Sequence, residues 1–149
     1  KMSLETIISD AIKTAMREKD RVALDSLRAV KAQILLLQTE ARGAEVTAEQ
    51  EIAILQRMIK QRKDSYEQFT AQGRTDLAEV EEAQSKVIEK FLPKQLSAEE
   101  LESEIKKIIS ETGAESLKDL GKVMGVASKA LAGKSDGKSI SEMVKKLLS

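Results

Sequence analysis

Residues 20–43 read DRVALDSLRAVKAQILLLQTEARG, and within them Ala23, Leu27, Val30, Ile34, Leu37 and Ala41 recur at alternating steps of four and three. That spacing keeps all six on one side of an α-helix, whereas a half-buried strand would repeat every second residue. The stripe runs for about three heptads and asks for an apolar partner helix. The helix begins after Asp20, and Gly43 supplies its stop.

The same periodicity extends in both directions. Leu4, Ile7, Ile8, Ala11, Ile12, Ala15 and Met16, behind a Ser3 cap, predict a first amphipathic helix. Thr47 followed three residues later by Gln50 has the pattern of a capping box, and opens a third helix carrying Ile52, Leu55, Ile59, Tyr66 and Phe69 before Gly73. Helices two and three are expected to form a long antiparallel hairpin. A fourth helix, from about Asp76 to Leu92, is expected to bury Leu77, Val80, Val87, Ile88 and Phe91 and to end at Pro93.

Pro93 is the only proline and sits at a change in composition, which places a boundary between residues 2–92 and 93–149. Beyond it the helices shorten. Ser97 with Glu100, Ser116 with Asp119 and Ser139 with Glu142 each fit a helix-start signature, while Gly113 and Gly133 are suitable stops. The expected core of this part is Leu101, Ile105, Ile108, Leu117, Leu120, Met124, Leu131, Ile140, Met143, Val144 and Leu147, with Gly121 on the buried side. The predicted fold is therefore all-α and multihelical: an N-terminal helical hairpin subdomain followed by a small C-terminal three-helix bundle.

Composition narrows the function. The 149 residues carry 25 basic and 25 acidic side chains, no cysteine and no histidine. The usual thiol nucleophile, the usual neutral-pH base and the ligands of most zinc sites are thus missing. No catalytic residue, metal site or cofactor is assigned. The carboxylate clusters at Glu79, Glu81 and Glu82 and at Glu99, Glu100, Glu102 and Glu104 read as a helix surface and as the start of a helix, where acids favour the positive dipole end. No run approaches 18 apolar residues, so no membrane partner is expected, and the absence of cysteine suits a reducing cytoplasm. Lys1, which precedes Met2, is set aside.

Charge is uneven. Residues 116–149 hold seven lysines against three acids, an excess of four positive charges in a chain that is neutral overall. Lys118, Lys122, Gly125 and Lys129 follow at i, i+4, i+7 and i+11, a basic stripe with a notch that a phosphate backbone can approach. A solvated helix face presents the same pattern. The triplets Gly133-Lys134-Ser135 and Gly137-Lys138-Ser139 are not phosphate loops, because Ser128 and Ala132 stand where the leading glycine belongs and no strand precedes them. A turn containing Lys134, Gly137 and Lys138, with a last helix starting at Ser139, would still suit one phosphate; it also reads as a flexible turn. The basic residues Arg57, Lys60, Arg62 and Lys63 have Asp64 and Glu67 one turn away and read as a compensated face. Three aromatic residues at packing positions provide no stacking platform for bases.

Three motifs in order, Leu92-Pro93-Lys94-Gln95-Leu96-Ser97, Lys118-Asp119-Leu120-Gly121-Lys122-Val123-Met124-Gly125 and Gly133-Lys134-Ser135-Asp136-Gly137-Lys138, resemble the YqeY-like family, whose C-terminal module is shared with the tail of the B subunit of glutamine-dependent aspartyl/glutamyl-tRNA amidotransferase. The resemblance covers essentially the whole chain. It implies tRNA as partner, with amidotransferase components or an aminoacyl-tRNA synthetase as protein partners, and a family-level association with carbon-nitrogen ligases using glutamine as amide donor. In that enzyme the glutaminase and the ATP-using centre lie outside the tail, so an accessory role without a catalytic centre is implied. The residues expected at nucleic acid are Lys118, Lys122, Gly125, Lys129, Lys134, Gly137 and Lys138. The alternative is a helical protein-protein interaction module with no nucleic-acid role.

Overall fold

The computed structural model describes residues 2–149; Lys1 lies outside the described residues. Among them are seven α-helices, one 3-10 turn and no strand: α1 (Leu4–Glu18), α2 (Arg21–Ala41), α3 (Ala48–Ala71), α4 (Thr75–Glu89), α5 (Ala98–Thr112), the 3-10 turn Leu117–Asp119, α6 (Leu120–Ala130) and α7 (Gly137–Leu148). The chain divides into two compact units between Leu92 and Pro93.

In the first unit local signals set the helix ends. Ser3 accepts the Thr6 amide at 3.2 Å, Asp20 accepts that of Ala23 at 3.0 Å, and Thr47 and Gln50 form the reciprocal capping box. Lys19 adopts a left-handed turn that joins α1 to α2 within two residues. The core is built from Leu4 and Ile8 of α1, Leu27, Val30 and Ile34 of α2, Ile54, Leu55, Met58 and Ile59 of α3, and Ile88 of α4. Each such side chain stabilises the unit by about 1.5–3 kcal/mol relative to exposure.

Helix pairing differs from the expected hairpin. α3 packs most extensively along α4, α2 packs against α1 and α4, and the α2–α3 contact is the smallest of these. The reason lies in the turns. Only Gln72, Gly73 and Arg74 separate α3 from α4, with the Arg74 amide closing back on the Phe69 carbonyl at 2.8 Å, so the two must fold flat together. α4 consequently buries Ala78, Ser85 and Ile88, a stripe at i, i+7 and i+10, and this rotation leaves Val80 44 % exposed. Met16 is likewise exposed, and α4 ends at Glu89, three residues before the expected Leu92.

The second unit is α5, α6 and α7 around Leu101, Ile105, Ile108, Val123, Ala127, Leu131, Ile140, Val144 and Leu148. The Ser97–Glu100 capping box opens α5, and Gly113 at φ +71° closes it in a conformation that glycine adopts without steric cost. Leu117 sits in the 3-10 turn rather than in a helix and is exposed; Val123 and Ala127 take the core positions expected of it. Gly121 is also exposed, with nothing within 4 Å of an added Cβ, so no helix passes close to it. The last helix starts at Gly137, not Ser139. Asp136 is its cap, accepting the Ser139 amide at 2.7 Å and the Ser139 hydroxyl at 3.0 Å.

Residues 93–96 are part of this fold. The Leu96 amide donates to the Lys134 carbonyl at 2.9 Å, and Gln95 Nε2 donates to the carbonyl of Gly133, which is buried at φ +77°. A fragment of residues 93–149 should therefore melt cooperatively by circular dichroism, and one of residues 97–149 at a lower temperature. Equal melting temperatures would show that the tether contributes nothing.

Candidate nucleic-acid interface

The outward face of α6 follows from its core. Val123 and Ala127 point inward with Leu120 and Met124 half-buried beside them, so the helix turns Lys122, Gly125 and Lys129 to the opposite side. All three are exposed. Together with Gly121, Val126 and Ala130 they line a wide, shallow depression of about 670 Å³. No atom lies within 4 Å of where a Cβ on Gly125 would stand. The floor is thus bare backbone between two lysines.

Lys118 is not on this helix. It lies in the preceding 3-10 turn, exposed, where the single-helix register expected of it breaks. What holds the turn is Asp119, whose carboxylate accepts the Glu115 amide at 2.9 Å and the Ser116 amide at 3.4 Å. Those two amides, that of Glu115 first, hold the Asp119 carboxyl below its ordinary range, and the Lys122 ammonium adds a smaller pull in the same direction. Lys118, Lys122 and Lys129 form no ion pair within 4.0 Å among the described residues.

Lys134 belongs to a different concavity, a cleft of about 420 Å³ at the starts of α5 and α7, shared with Leu96, Ser97, Asp136, Met143 and Lys146. Lys138 and Gly137 are exposed in the first turn of α7 and line neither depression. The seven expected residues are therefore spread over the α6 face, the turn before it and the loop leading into α7. The expected anion position at the start of the last helix is taken by the Asp136 carboxylate, which already accepts the Ser139 amide. Lys146 was not among the candidates. It stands 3.8 Å from Glu102, and only its position across the cleft from Lys134 brings it into view.

The α3 basic patch is partly compensated. Lys60 pairs with Asp64 at 3.2 Å; Lys63 pairs with Glu89 of α4 at 3.5 Å rather than with Glu67. Arg62 donates to the Gln84 side chain and the Met58 carbonyl, and Arg57 to Gln33. Acids elsewhere serve structure in the same way: Glu82 pairs with Lys86, and Glu100 accepts the Ser97 amide, which with the Ser97 side chain keeps its pKa below the ordinary value. Among the described residues no group of three or more potential metal ligands is gathered, and no helix is long and apolar enough to cross a membrane.

A family model described as Yqey-like protein matches residues 5–148. The chain is also similar to proteins named "Altered inheritance of mitochondria protein 41, mitochondrial". That of Pyrenophora tritici-repentis is 29% identical over 140 residues, 92% of this chain and 76% of the relative. That of Meyerozyma guilliermondii is 36% identical over 95 residues, 60% of this chain and 46% of the relative; the Clavispora lusitaniae protein is 33% identical over 81 residues, 54% and 46%. The chain thus spans less than half the length of these last two.

Proposed function

This chain belongs to the Yqey-like family, and on that premise we propose that its second unit binds tRNA through the phosphate backbone, as an accessory to glutamine-dependent tRNA amidation with no catalytic centre of its own. The observation that carries the proposal is the outward face of α6: two exposed lysines, without ion pairs among the described residues, flank bare helix backbone at Gly125, with Lys118 one turn ahead. Lysine supplies charge to which a phosphate is drawn, and the missing side chain lets the RNA backbone come close. With no aromatic residue on this face, recognition reads backbone and shape. Lys134 and Lys138 flank Asp136 in sequence and add charge, but the Ser139 amide at the helix start is already taken by the Asp136 carboxylate.

The likeness to the amidotransferase tail supports tRNA as the ligand and the amidation context. The cytoplasm expected from composition stands beside relatives whose names place them in mitochondria, and tRNA occurs in both compartments. The test is direct. Gently purified protein should carry tRNA, seen as a high ratio of absorbance at 260 to that at 280 nm, and should rebind it at about 50 mM salt, with affinity falling steeply by about 200 mM. Absence of measurable affinity at about 50 mM salt overturns the proposal.

A further inference from the structure

The first unit carries a second surface that RNA binding does not use. α2 and α3, joined by the 42–47 connection and in limited contact, leave between them an open groove of about 240 Å³. Its apolar lining is Leu36 and Leu37 from α2 with Ala53 and Ile54 from α3, and Gln33, Glu40, Gln50 and Arg57 complete it. Leu36 is 52 % exposed and its neighbour Leu35 44 %, an adjacent pair of large aliphatic side chains left in water. A leucine half out of its groove forgoes part of the stabilisation that full burial contributes.

The two ends of the groove carry opposite charge. At one end the exposed Arg57 donates to Gln33 at 3.0 Å, a bond that uses one of the five guanidinium N–H donors. At the other stands Glu40, which forms no ion pair within 4.0 Å among the described residues. A short apolar groove with a cation at one end and an anion at the other is complementary to itself. A two-fold axis lying in the interface and crossing the groove at its middle sets each Arg57 against Glu40 of the second copy and Leu36 against the opposing apolar wall. An axis along the groove would set arginine against arginine. Isologous pairing in the antiparallel sense alone satisfies both the charges and the leucines.

We propose that this chain self-associates through the α2–α3 groove as a two-fold dimer, with Leu36 as anchor and Arg57–Glu40 pairs at both rims. Eight residues line the groove, against the roughly 20–30 that each partner contributes to a standard stable interface, so the dimer is weak and concentration-dependent. The proposal is independent of RNA binding.

Sedimentation of the full chain free of RNA, from about 1 μM to about 1 mM, tests it. The wild type should pass from monomer to dimer across that range. Glu40→Arg and Arg57→Glu should each raise the dimer dissociation constant more than about tenfold, since each places like charges at both rims. An equimolar mixture of the two variants should recover dimers containing one of each, and the double variant carrying both reversals should dimerise alone. Leu36→Lys should stay monomeric with unchanged helicity. The mixture separates a lost rim pair from a misfolded variant, because misfolded chains do not rescue one another. A wild type that is monomeric to about 1 mM overturns the proposal, as do single reversals that dimerise like the wild type or a mixture that stays monomeric.

Discussion

Replacing Lys118, Lys122 and Lys129 together by glutamine is expected to weaken tRNA binding about a thousandfold at roughly 50 mM salt while leaving helicity intact. Each lost phosphate contact lowers the magnitude of the log affinity against log salt slope by roughly 0.7–0.9, so three contacts lower it by about two to three; extrapolated from about 1 M, that difference is the thousandfold effect. Helicity survives because all three side chains are exposed and form no ion pair among the described residues. Lys60, Lys63 and Lys86 form the matched control, each already paired with a carboxylate, and their replacement should change the slope far less. Equal losses from the two sets would mean diffuse attraction rather than an interface. Gly125→Leu separates charge from shape. Open space around the position and the better helix propensity of leucine, up to about 1 kcal/mol, predict a more stable unit, yet one that binds tRNA more weakly if the backbone must come close.

The largest stability effect should come from Ile105→Ala. Ile105 is fully buried between α5, α6 and α7, and removing its side chain costs about 2–5 kcal/mol in lost transfer energy and cavity. A unit of about 60 residues buries only about 60 % of its unfolded surface and has little reserve. In the 93–149 fragment the substitution should abolish the cooperative melt by circular dichroism. In the full chain it should remove tRNA affinity together with part of the helical signal, since α6 holds its face only while Val123 and Ala127 are packed. A variant fragment that melts within a few degrees of the wild type would show that this core relaxes around the cavity.

How much of the molecule could be read in advance depended on the range of the interaction. Ser3, Thr47 with Gln50, Ser97 with Glu100, and Gly113 each act within four residues, and each stands in the structure at the helix end assigned to it. The α2 stripe through Leu27, Val30 and Ile34 is a property of helical spacing alone, and those residues are buried. The candidate interface was readable for the same reason: Lys122, Gly125 and Lys129 share a face in any α-helix. Lys118 escaped that register because Ser116 and Asp119 close a 3-10 turn around it, a competition between cap and helix that spacing cannot resolve.

Composition and local pattern by themselves determined the all-α class, most helix ends and the sidedness of the basic residues, because caps and i, i+4 neighbours act within one turn. Tertiary structure decided which helices pair and which half of an amphipathic surface meets water. α3 chose α4 over α2 because three residues join them, and Val80 and Gly121 turned outward because the partners on the other side buried Ile88, Val123 and Ala127. It also chose Asp136 over Ser139 as the cap of α7. Either side chain can cap a helix, and the buried turn at Gly133, tied to Gln95 and Leu96 nearly 40 residues earlier in the chain, belongs to the same loop that delivers Asp136 to the helix start. Such a choice rests on contacts between residues far apart in sequence, and no local pattern carries that information.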